Sequence, residues 1–243
     1  MKNTECKKTA EYFNENVPEY CLERFGLIVD FIKKQVKSDS NFLDIGCGAG
    51  NVLQMIQDQT GIQDLYGMDI AENYLNETGK KVEFKSILGS ILDEEIVGKY
   101  KNKFDFVMLS AVLHHLIGDS RADSIELAKK ALDNAFQLVK PQGYFLLVEP
   151  AYAPTISNDF IFNIKKFFSS FVDGRIELFT QGLNIGDPIV SFLTPDQIKN
   201  MMQNIDNNEL LGEKISSNGV PLAMRFLFVK GTYNTNFISR KIK

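Results

Sequence analysis

From residue 41 to residue 150, short apolar runs alternate with helical patterns, and this alternation constrains the fold more than any other feature of the sequence. The apolar runs are "FLDIG", "DLYGMDI", "VEFKSIL", "FDFVMLS" and "GYFLLVEP". A helical pattern follows each of the first four, and the clearest one, near 120–139, is expected to end at "KPQG". Strands that alternate with helices form βαβ units, so the sequence predicts an α/β fold with a mostly parallel, doubly wound sheet covered on both faces.

The segments on either side of this core have patterns of their own. Residues 5–37 are typical of two helices, the second with an apolar stripe that would dock on a larger body. Further along, "TPDQIKNMMQNI" predicts a helix with Thr194 as its N-cap and Gln197 at the capping-box position. "ELLGEKIS" and "PLAMRFLFVKG" predict two late strands that pair as a hairpin around "SSNG".

Length and composition narrow the class of protein. A chain of 243 residues with 44% hydrophobic content favours one domain, and its formal charge of −4 argues against a surface that binds nucleic-acid phosphates. Cys6, Cys21 and Cys47 are too few and too scattered for a disulfide framework, and no Cys/His spacing indicates zinc. With no signal peptide and no apolar segment of ~18 residues, we expect a cytoplasmic protein without stable membrane insertion.

The most distinctive motif is the glycine turn after the first strand, "LDIGCGAGN". Glycines at 46, 48 and 50 let the backbone turn sharply into a helix and approach a ligand closely. The dinucleotide-binding pattern would need glycine at position 51, where Asn51 stands, so a nicotinamide-dependent oxidoreductase is disfavoured. Asp44 places a carboxylate beside the turn, where it would repel a pyrophosphate and attract an ammonium group. The turn therefore favours a cationic ligand.

Four motifs in order extend this interpretation over residues 40–150. They are "LDIGCGAG", "LYGMDIAENYL", "FDFVMLSAVLHHL" and "LVKPQGYFLLVEP". Together they resemble the motifs of class I S-adenosylmethionine-dependent methyltransferases, and most closely the small-molecule branch that includes ubiquinone- and menaquinone-type enzymes. The resemblance implies a Rossmann-like, mostly parallel seven-stranded sheet with an antiparallel C-terminal hairpin and a helical lid.

The same resemblance implies the reaction and the domain plan. The enzyme would transfer a methyl group from S-adenosyl-L-methionine to oxygen, nitrogen or carbon of a small-molecule acceptor, releasing S-adenosyl-L-homocysteine, with no metal. All 243 residues would form a single methyltransferase domain. Its parts would be N-terminal cap helices at 1–38, a cofactor-binding core at 39–150, an acceptor lid at 151–193, and a C-terminal helix and hairpin at 194–243.

The resemblance also implies which residues bind the cofactor. Asp44 would lie near the amino group, the glycines would shape the methionine pocket, and Asp69 would accept hydrogen bonds from the ribose hydroxyls. The family usually carries an Asp after the third strand to contact the adenine, and here Ser90 followed by Ile91 stands in that region. The full predicted set is Tyr20, Asp44, Gly46, Cys47, Gly48, Gly50, Asp69, Ile70, Ser90, Ile91 and Ser110.

The catalytic candidates are the chain's two histidines, His114 and His115, which follow the fourth strand. Either imidazole has the chemistry to take a proton from the acceptor, His115 being preferred, or to pack below the pocket with orientation alone supplying catalysis. Glu149, at the end of the fifth strand, is open to two readings: it orients the acceptor, or it is a solvated charge. The resemblance also implies that Tyr12 and Tyr20 close over the cofactor. Six other aromatic residues are expected either to line an apolar acceptor cavity or to form the core of the lid: Tyr152, Phe160, Phe167, Phe168, Phe171 and Phe179.

Other functions stay open from the sequence alone. The missing adenine-site Asp is compatible with a catalytically silent module that binds S-adenosylmethionine. A macromolecule-directed methyltransferase is disfavoured by the charge, by the absence of an Asn/Asp-Pro-Pro-aromatic motif after the fourth strand, and by the lack of a cysteine there. The acceptor itself, the atom methylated and the choice between monomer and homodimer have no readable motif.

Overall fold

Helices and strands alternate through the first half of the chain. The computed structural model describes residues 18–169, 175–177, 184–186 and 189–243. Its first half contains, in order, α1 (Pro18–Gln35), β1 (Asn41–Ile45), α2 (Asn51–Thr60), β2 (Asp64–Asp69), α3 (Glu72–Thr78), β3 (Lys85–Leu88), α4 (Glu94–Tyr100), β4 (Phe104–Ser110), a 3-10 turn (Leu113–His115) and α5 (Arg121–Leu138). This is the alternation that the apolar runs predict.

The second half begins with a long strand and ends in an antiparallel pair. It contains β5 (Val139–Ala153), α6 (Thr155–Ser169), β6 (Arg175–Glu177), β7 (Asn184–Gly186), α7 (Pro195–Gln203), β8 (Asn208–Asn218), α8 (Leu222–Arg225) and β9 (Gly231–Lys241). Thr194 and Gln197 form the predicted capping box at the start of α7. No helix in the described ranges is long and apolar enough to cross a membrane.

Seven strands form one mixed sheet in the order β3-β2-β1-β4-β5-β9-β8. The first five pair in parallel, whereas β9 pairs antiparallel with both β5 and β8. The strand order reverses between β1 and β4, and ligands of open α/β sheets bind beyond the carboxyl ends of strands at such a point. The fold is therefore Rossmann-like and doubly wound, with the predicted antiparallel C-terminal pair.

Each face of the sheet has its own hydrophobic core, as the near-continuous apolar strands require. On one face, helices α4, α5 and α7 contribute residues such as Val97, Leu132 and Ile198. On the other, helices α1, α2 and α3 contribute Ile28, Leu53 and others. Burial of both faces fixes where the strand ends, and hence the loops after them, must lie.

The long helix α5 runs from Arg121 to Leu138, as the pattern near 120–139 predicts, and it ends just before "KPQG". The carbonyls of Gln137 and Leu138 accept hydrogen bonds from the backbone N–H groups that lead into β4, and Val139 already has extended geometry. The Lys241 ammonium also donates to the carbonyl of Gln137. These contacts satisfy the carbonyls at the helix end, and "KPQG" is the first part of β5, which begins earlier than the predicted strand "GYFLLVEP".

The C-terminal pair was only partly predicted. Strand β8 covers "ELLGEKIS", but "SSNG" lies mostly inside that strand, and "PLAMRFLFVKG" forms α8 and a turn instead of a strand. Pro221 is the N-cap of α8, and Phe228 has a left-handed φ of 61°, which interrupts regular strand geometry. The strand that the sequence did not predict is β9, which lies between β5 and β8. Its sequence "GTYNTNFISRK" is largely polar and therefore does not indicate a strand inside the sheet.

At the N-terminus, the structure describes one helix where two were predicted. Phe25, Ile28 and Ile32 are buried along α1, as the apolar stripe indicates. The other predicted helix and Tyr12 lie outside the described residues.

Candidate active site

The glycine turn between β1 and α2 has the left-handed backbone that its sequence requires. Gly46, Gly48 and Gly50 have φ values of 72°, 52° and 78°, a region that residues with a Cβ seldom adopt. The N–H of Gly46 donates to the carbonyl of Met68 at 2.7 Å, and the Thr78 hydroxyl donates to the carbonyl of Gly48 at 2.9 Å. The turn is thus tied to β2 and to the end of α3.

Asp44 is a buried acid at the base of this turn. Its side chain is 1% exposed, and its Oδ1 atom has no hydrogen-bond partner among the described residues. Burial, and then the charge of Asp69, raise the pKa of Asp44 well above its usual value. Since a buried carboxylate without a partner is costly, this position is suited to a cationic group.

Asp69 ends β2 beside the same turn. Its Oδ2 accepts from the N–H of Gly48 at 3.0 Å, and its Oδ1 accepts from the N–H of Ala71 at 2.9 Å. Burial raises the pKa of Asp69, while the backbone hydrogen bonds oppose that rise. The next residue, Ile70, is an apolar side chain left 74% exposed at the rim of the turn.

Three further residues of the predicted cofactor-binding set lie on different elements: the glycine turn, β4 and α1. Cys47 is buried within the turn, where burial first, and then the charges of Asp44 and Asp69, raise the pKa of its thiol. Ser110 lies half-buried at the end of β4. Tyr20 lies on α1, and its side chain is outside the described part of the structure.

The adenine-site candidates lie after β3. The Ser90 hydroxyl accepts from the N–H of Leu92 at 3.2 Å in a local turn. Ile91 is 3% exposed and packs in the core on the α4 and α5 side of the sheet. Of this predicted pair, Ser90 alone has part of its surface accessible.

The two histidines lie in the 3-10 turn after β4, next to the glycine turn in the order of the sheet. His114 is buried and His115 is exposed, with their ring centroids 4.0 Å apart. Burial of the His115 ring, then the charges of His114 and Lys165, lower the pKa of His115 to about 3. The direction of this shift leaves the imidazole neutral at pH 7.

Glu149 is the site residue whose role the sequence left undecided. Its side chain is 1% exposed, so the solvated-charge reading is wrong. Its carboxylate accepts from the N–H groups of Val112 and His114, both at 3.1 Å, and lies 2.6 Å from His114 Nδ1. Strand β5 continues to Ala153, so Glu149 lies inside the strand rather than at its end as predicted. The sequence signal, an acid before Pro150, does not reveal these partners.

The segment after β5 reaches back to the histidine turn. The N–H of Ser191 donates to the carbonyl of His114 at 2.9 Å, and the ring of Phe192 stacks on His114 with centroids 5.1 Å apart. Arg121 donates to the Ser191 hydroxyl at 2.6 Å and to the carbonyl of Phe192, and it lies 3.4 Å from Asp159 of α6. No sequence motif predicted this set of contacts.

The aromatic residues predicted to line an acceptor cavity are divided. Tyr152 stacks on Phe192 at 3.9 Å, close to the histidine turn. Phe160 and Phe167 are 41% and 60% exposed, and Phe160 packs edge-on against Phe228, so both lie on the outer surface. Phe171, Phe179 and the side chain of Phe168 are outside the described residues.

Comparisons with known proteins agree with the topology. A family model described as a methyltransferase domain matches residues 13–208. No curated protein sequence matches the chain. Among the described residues, no group of three or more His, Cys, Asp or Glu side chains is arranged to hold a metal ion.

Solved structures share the fold at low sequence identity. An S-adenosylmethionine-dependent methyltransferase from Clostridium acetobutylicum is 12% identical with a TM-score of 0.60, over 96% of this chain and 98% of that one. One from Methanosarcina mazei is 13% identical with a TM-score of 0.56, over 87% and 97%. The YcgJ protein from Bacillus subtilis is 13% identical with a TM-score of 0.58, over 91% and 99%. Since the family model covers most of the sequence, the chain belongs to the methyltransferase domain family and is a class I S-adenosylmethionine-dependent methyltransferase.

Proposed function

We propose that this methyltransferase acts on a small-molecule acceptor that binds beside the histidine turn, at the carboxyl ends of β1 and β4. The acceptor atom is oxygen, nitrogen or carbon. In this proposal, residues 39–150 bind the cofactor, 151–193 cover the acceptor, 1–38 cap the cofactor, and 194–243 complete the sheet within a single domain.

The residues of the glycine turn fit S-adenosylmethionine. Asp44 has a buried oxygen without a partner, which suits the ammonium of the amino-acid end. A Cβ built on Gly48 would meet no atom within 4 Å, so the turn borders open space. Asp69 accepts two backbone hydrogen bonds and, as a carboxylate, has further lone pairs for the ribose hydroxyls. Ile70 offers an exposed apolar surface to the adenine.

The acceptor side supplies orientation and a base. Bound S-adenosylmethionine supplies an electrophilic methyl group on a sulfonium sulfur, so the chain must hold a nucleophile in line with it. His115 is neutral at pH 7, so its ring can accept the proton that a hydroxyl or amine nucleophile loses. Its lowered pKa makes it a weak base, so orientation of the nucleophile supplies much of the rate. The buried His114 lies under it and is held by Glu149.

Two observations favour a small acceptor over a macromolecule. Contacts from Ser191, Phe192 and Lys166 tie the 151–193 segment to the loop that carries the histidines, which narrows access to them. The formal charge of −4 also lacks the cationic surface that nucleic-acid binding requires. Narrowed access and an acidic chain suit a small ligand better than a nucleic acid.

The buried, unpartnered Oδ1 of Asp44 is the observation that carries the proposal. Titration calorimetry with S-adenosylmethionine and S-adenosylhomocysteine is expected to show binding of both, and Asp44→Asn is expected to weaken it. A cell extract incubated with methyl-labelled S-adenosylmethionine should then accumulate label in its small-molecule fraction. Label confined to RNA or protein would refute the small acceptor, and binding without label would indicate the silent module.

A further inference from the structure

We propose that Glu149 is a positioning residue, which fixes a proton on Nδ1 of His114 and thereby holds the histidine turn in its reactive arrangement. The inference deepens the proposed function, because it concerns the same acceptor site. It names a residue inside β5 that acts on the reaction through the two histidines, without contacting the cofactor or the acceptor.

Four hydrogen-bond donors converge on this carboxylate. They are the N–H groups of Val112, Leu113 and His114, at 3.1, 3.4 and 3.1 Å, and Nδ1 of His114 at 2.6 Å. The three backbone N–H groups can only donate, so they need acceptor oxygens on Glu149. An acceptor at 2.6 Å requires that Nδ1 carry a proton, which leaves Nε2 of a neutral His114 as the acceptor nitrogen.

The backbone on both sides of Glu149 is fixed as well. The Thr235 hydroxyl on β9 donates to the carbonyl of Glu149 at 2.8 Å, and Thr235 is fully buried. On the other side, Ala111 donates its N–H to the carbonyl of Val148 at 2.9 Å and adopts a φ of 55°. A non-glycine residue in this conformation persists only where its surroundings over-determine it. Strands β5 and β9 and the loop after β4 thus fix the direction in which the Glu149 carboxylate points toward the histidine turn.

The plane of the His114 ring is set by its neighbours. Phe192 stacks on it at a 15° interplanar angle, and the His115 ring lies against it at 43°. With Nδ1 tied to Glu149, the ring can neither flip nor exchange its tautomer without losing a buried hydrogen bond. Among the described residues, the ring of His115 makes no side-chain hydrogen bond, so its position depends on the His114 ring and on the backbone of the turn.

Glu149→Gln separates positioning from simple packing. The amide keeps the shape of the carboxylate but turns one of its two acceptor oxygens into an NH2 donor. That NH2 must face either the N–H groups of the turn or Nδ1 of His114. We therefore expect the protonation pattern of His114 to change and the turn to loosen, whereas the exposed Glu213→Gln on β8 serves as the matched control.

The histidine tautomer can be read directly, since the chain has only two histidines. Proton–nitrogen correlation spectra of 15N-histidine-labelled protein, assigned with His115→Asn, should show His114 protonated at Nδ1 at pH 7. In Glu149→Gln the spectrum should move toward the form protonated at Nε2. A wild-type His114 protonated only at Nε2 would overturn the inference, and this result does not depend on whether Glu149→Gln folds.

Turnover tests the consequence for catalysis. With an acceptor in hand, Glu149→Gln is expected to lower kcat about tenfold or more, with the Kd of S-adenosylmethionine within about twofold of wild type, and Glu213→Gln is expected to match wild type. Unchanged kcat in Glu149→Gln would refute the positioning role. If no acceptor is ever turned over, the proposed function fails while the spectra still decide the tautomer.

Discussion

The side chain of Val112 fills the space that a side chain on Gly46 would need: a Cβ built on Gly46 would lie 2.4 Å from Val112 Cγ2. Gly46 begins the glycine turn, and Val112 leads into the histidine turn. The two halves of the candidate active site are therefore in direct van der Waals contact, without an intervening element. A change on one side is expected to reach the other.

Gly46→Ala should destabilise the protein and disturb both turns. The new methyl group would collide with Val112, and the left-handed φ of 72° is unfavourable to alanine. We therefore expect the free energy of unfolding to fall by about 1–3 kcal/mol. Urea unfolding measures this. Gly26→Ala in α1 is the control, since its Cβ would meet nothing within 4 Å. Equal stability of the Gly46 variant and wild type would contradict the packing described here.

Asp69→Ala should weaken S-adenosylmethionine and S-adenosylhomocysteine alike. Both carry the ribose that we assign to this carboxylate, and losing charge-assisted hydrogen bonds corresponds to about 10- to 100-fold in Kd. Asp64→Ala, at the other end of the same strand, removes an exposed ion pair with Lys85 and should leave both affinities intact. Calorimetry compares the two variants, and equal losses in both would point to a general effect on β2.

Asp44→Asn should stabilise the cofactor-free protein while it weakens the cofactor. The folded-state pKa of Asp44 is raised, so the native state holds a proton that the unfolded state has released. Stability from this group is therefore present at low pH and is lost as pH rises from the usual Asp range through the raised folded value. Asn cannot ionise, so Asp44→Asn avoids this loss of stability and should have a higher Tm than wild type at pH 8, measured by scanning calorimetry. A Tm below that of wild type would contradict the raised pKa of Asp44.

His115→Asn should lower turnover by about two orders of magnitude if His115 is the base. The pKa of His115 falls to about 3 in the folded state from a usual value of 6.5, so the native state binds fewer protons. Stability from this group is full above pH 6.5 and is lost as pH falls from there toward 3. Wild-type kcat/KM should then show no decline near pH 6.5 that depends on His115. A decline that disappears in the variant would count against a neutral base.

Arg121→Gln should raise the KM for the acceptor without changing the Kd of S-adenosylmethionine. The guanidinium holds Ser191, Phe192 and Asp159, so its loss releases the 151–193 segment from the helix that follows the histidine turn. We expect about a tenfold rise in KM from the loss of buried hydrogen bonds to a charged group. Arg240→Gln, which breaks a pair with Glu209 near the sheet edge, should leave KM unchanged.

The sequence predicted the parallel half of the fold because burial on both faces makes those strands apolar and leaves helical periodicity between them. It failed at β9, where Thr235, Asn236 and Ser239 are buried polar residues in a central strand. The hydroxyl of Thr235 has its partner on β5, in a strand far away along the chain. Apolar content indicates the inner strands of the parallel half of the sheet, but it does not indicate β9.

The candidate site was predictable to a similar degree. Asp44, the glycines and Asp69 occur at spacings set by one strand and one turn, so local sequence reveals them. Glu149 and Arg121 act through partners that lie 35 and 70 residues away. Such contacts exist only after the sheet and the 151–193 segment have assembled, and no local pattern encodes them.

The position of β9 has a consequence for biosynthesis. This strand follows all the others in the described chain, yet it lies between β5 and β8. As the chain leaves the ribosome, one edge of β5 stays unpaired until β9, up to residue 241, has been synthesised. Until then β8 also lacks its pairing partner. Exposed strand edges are templates for aggregation. Premature termination before β9 should therefore yield nascent chains that depend on chaperones and are cleared by proteases, even though every residue of the glycine turn has already been made.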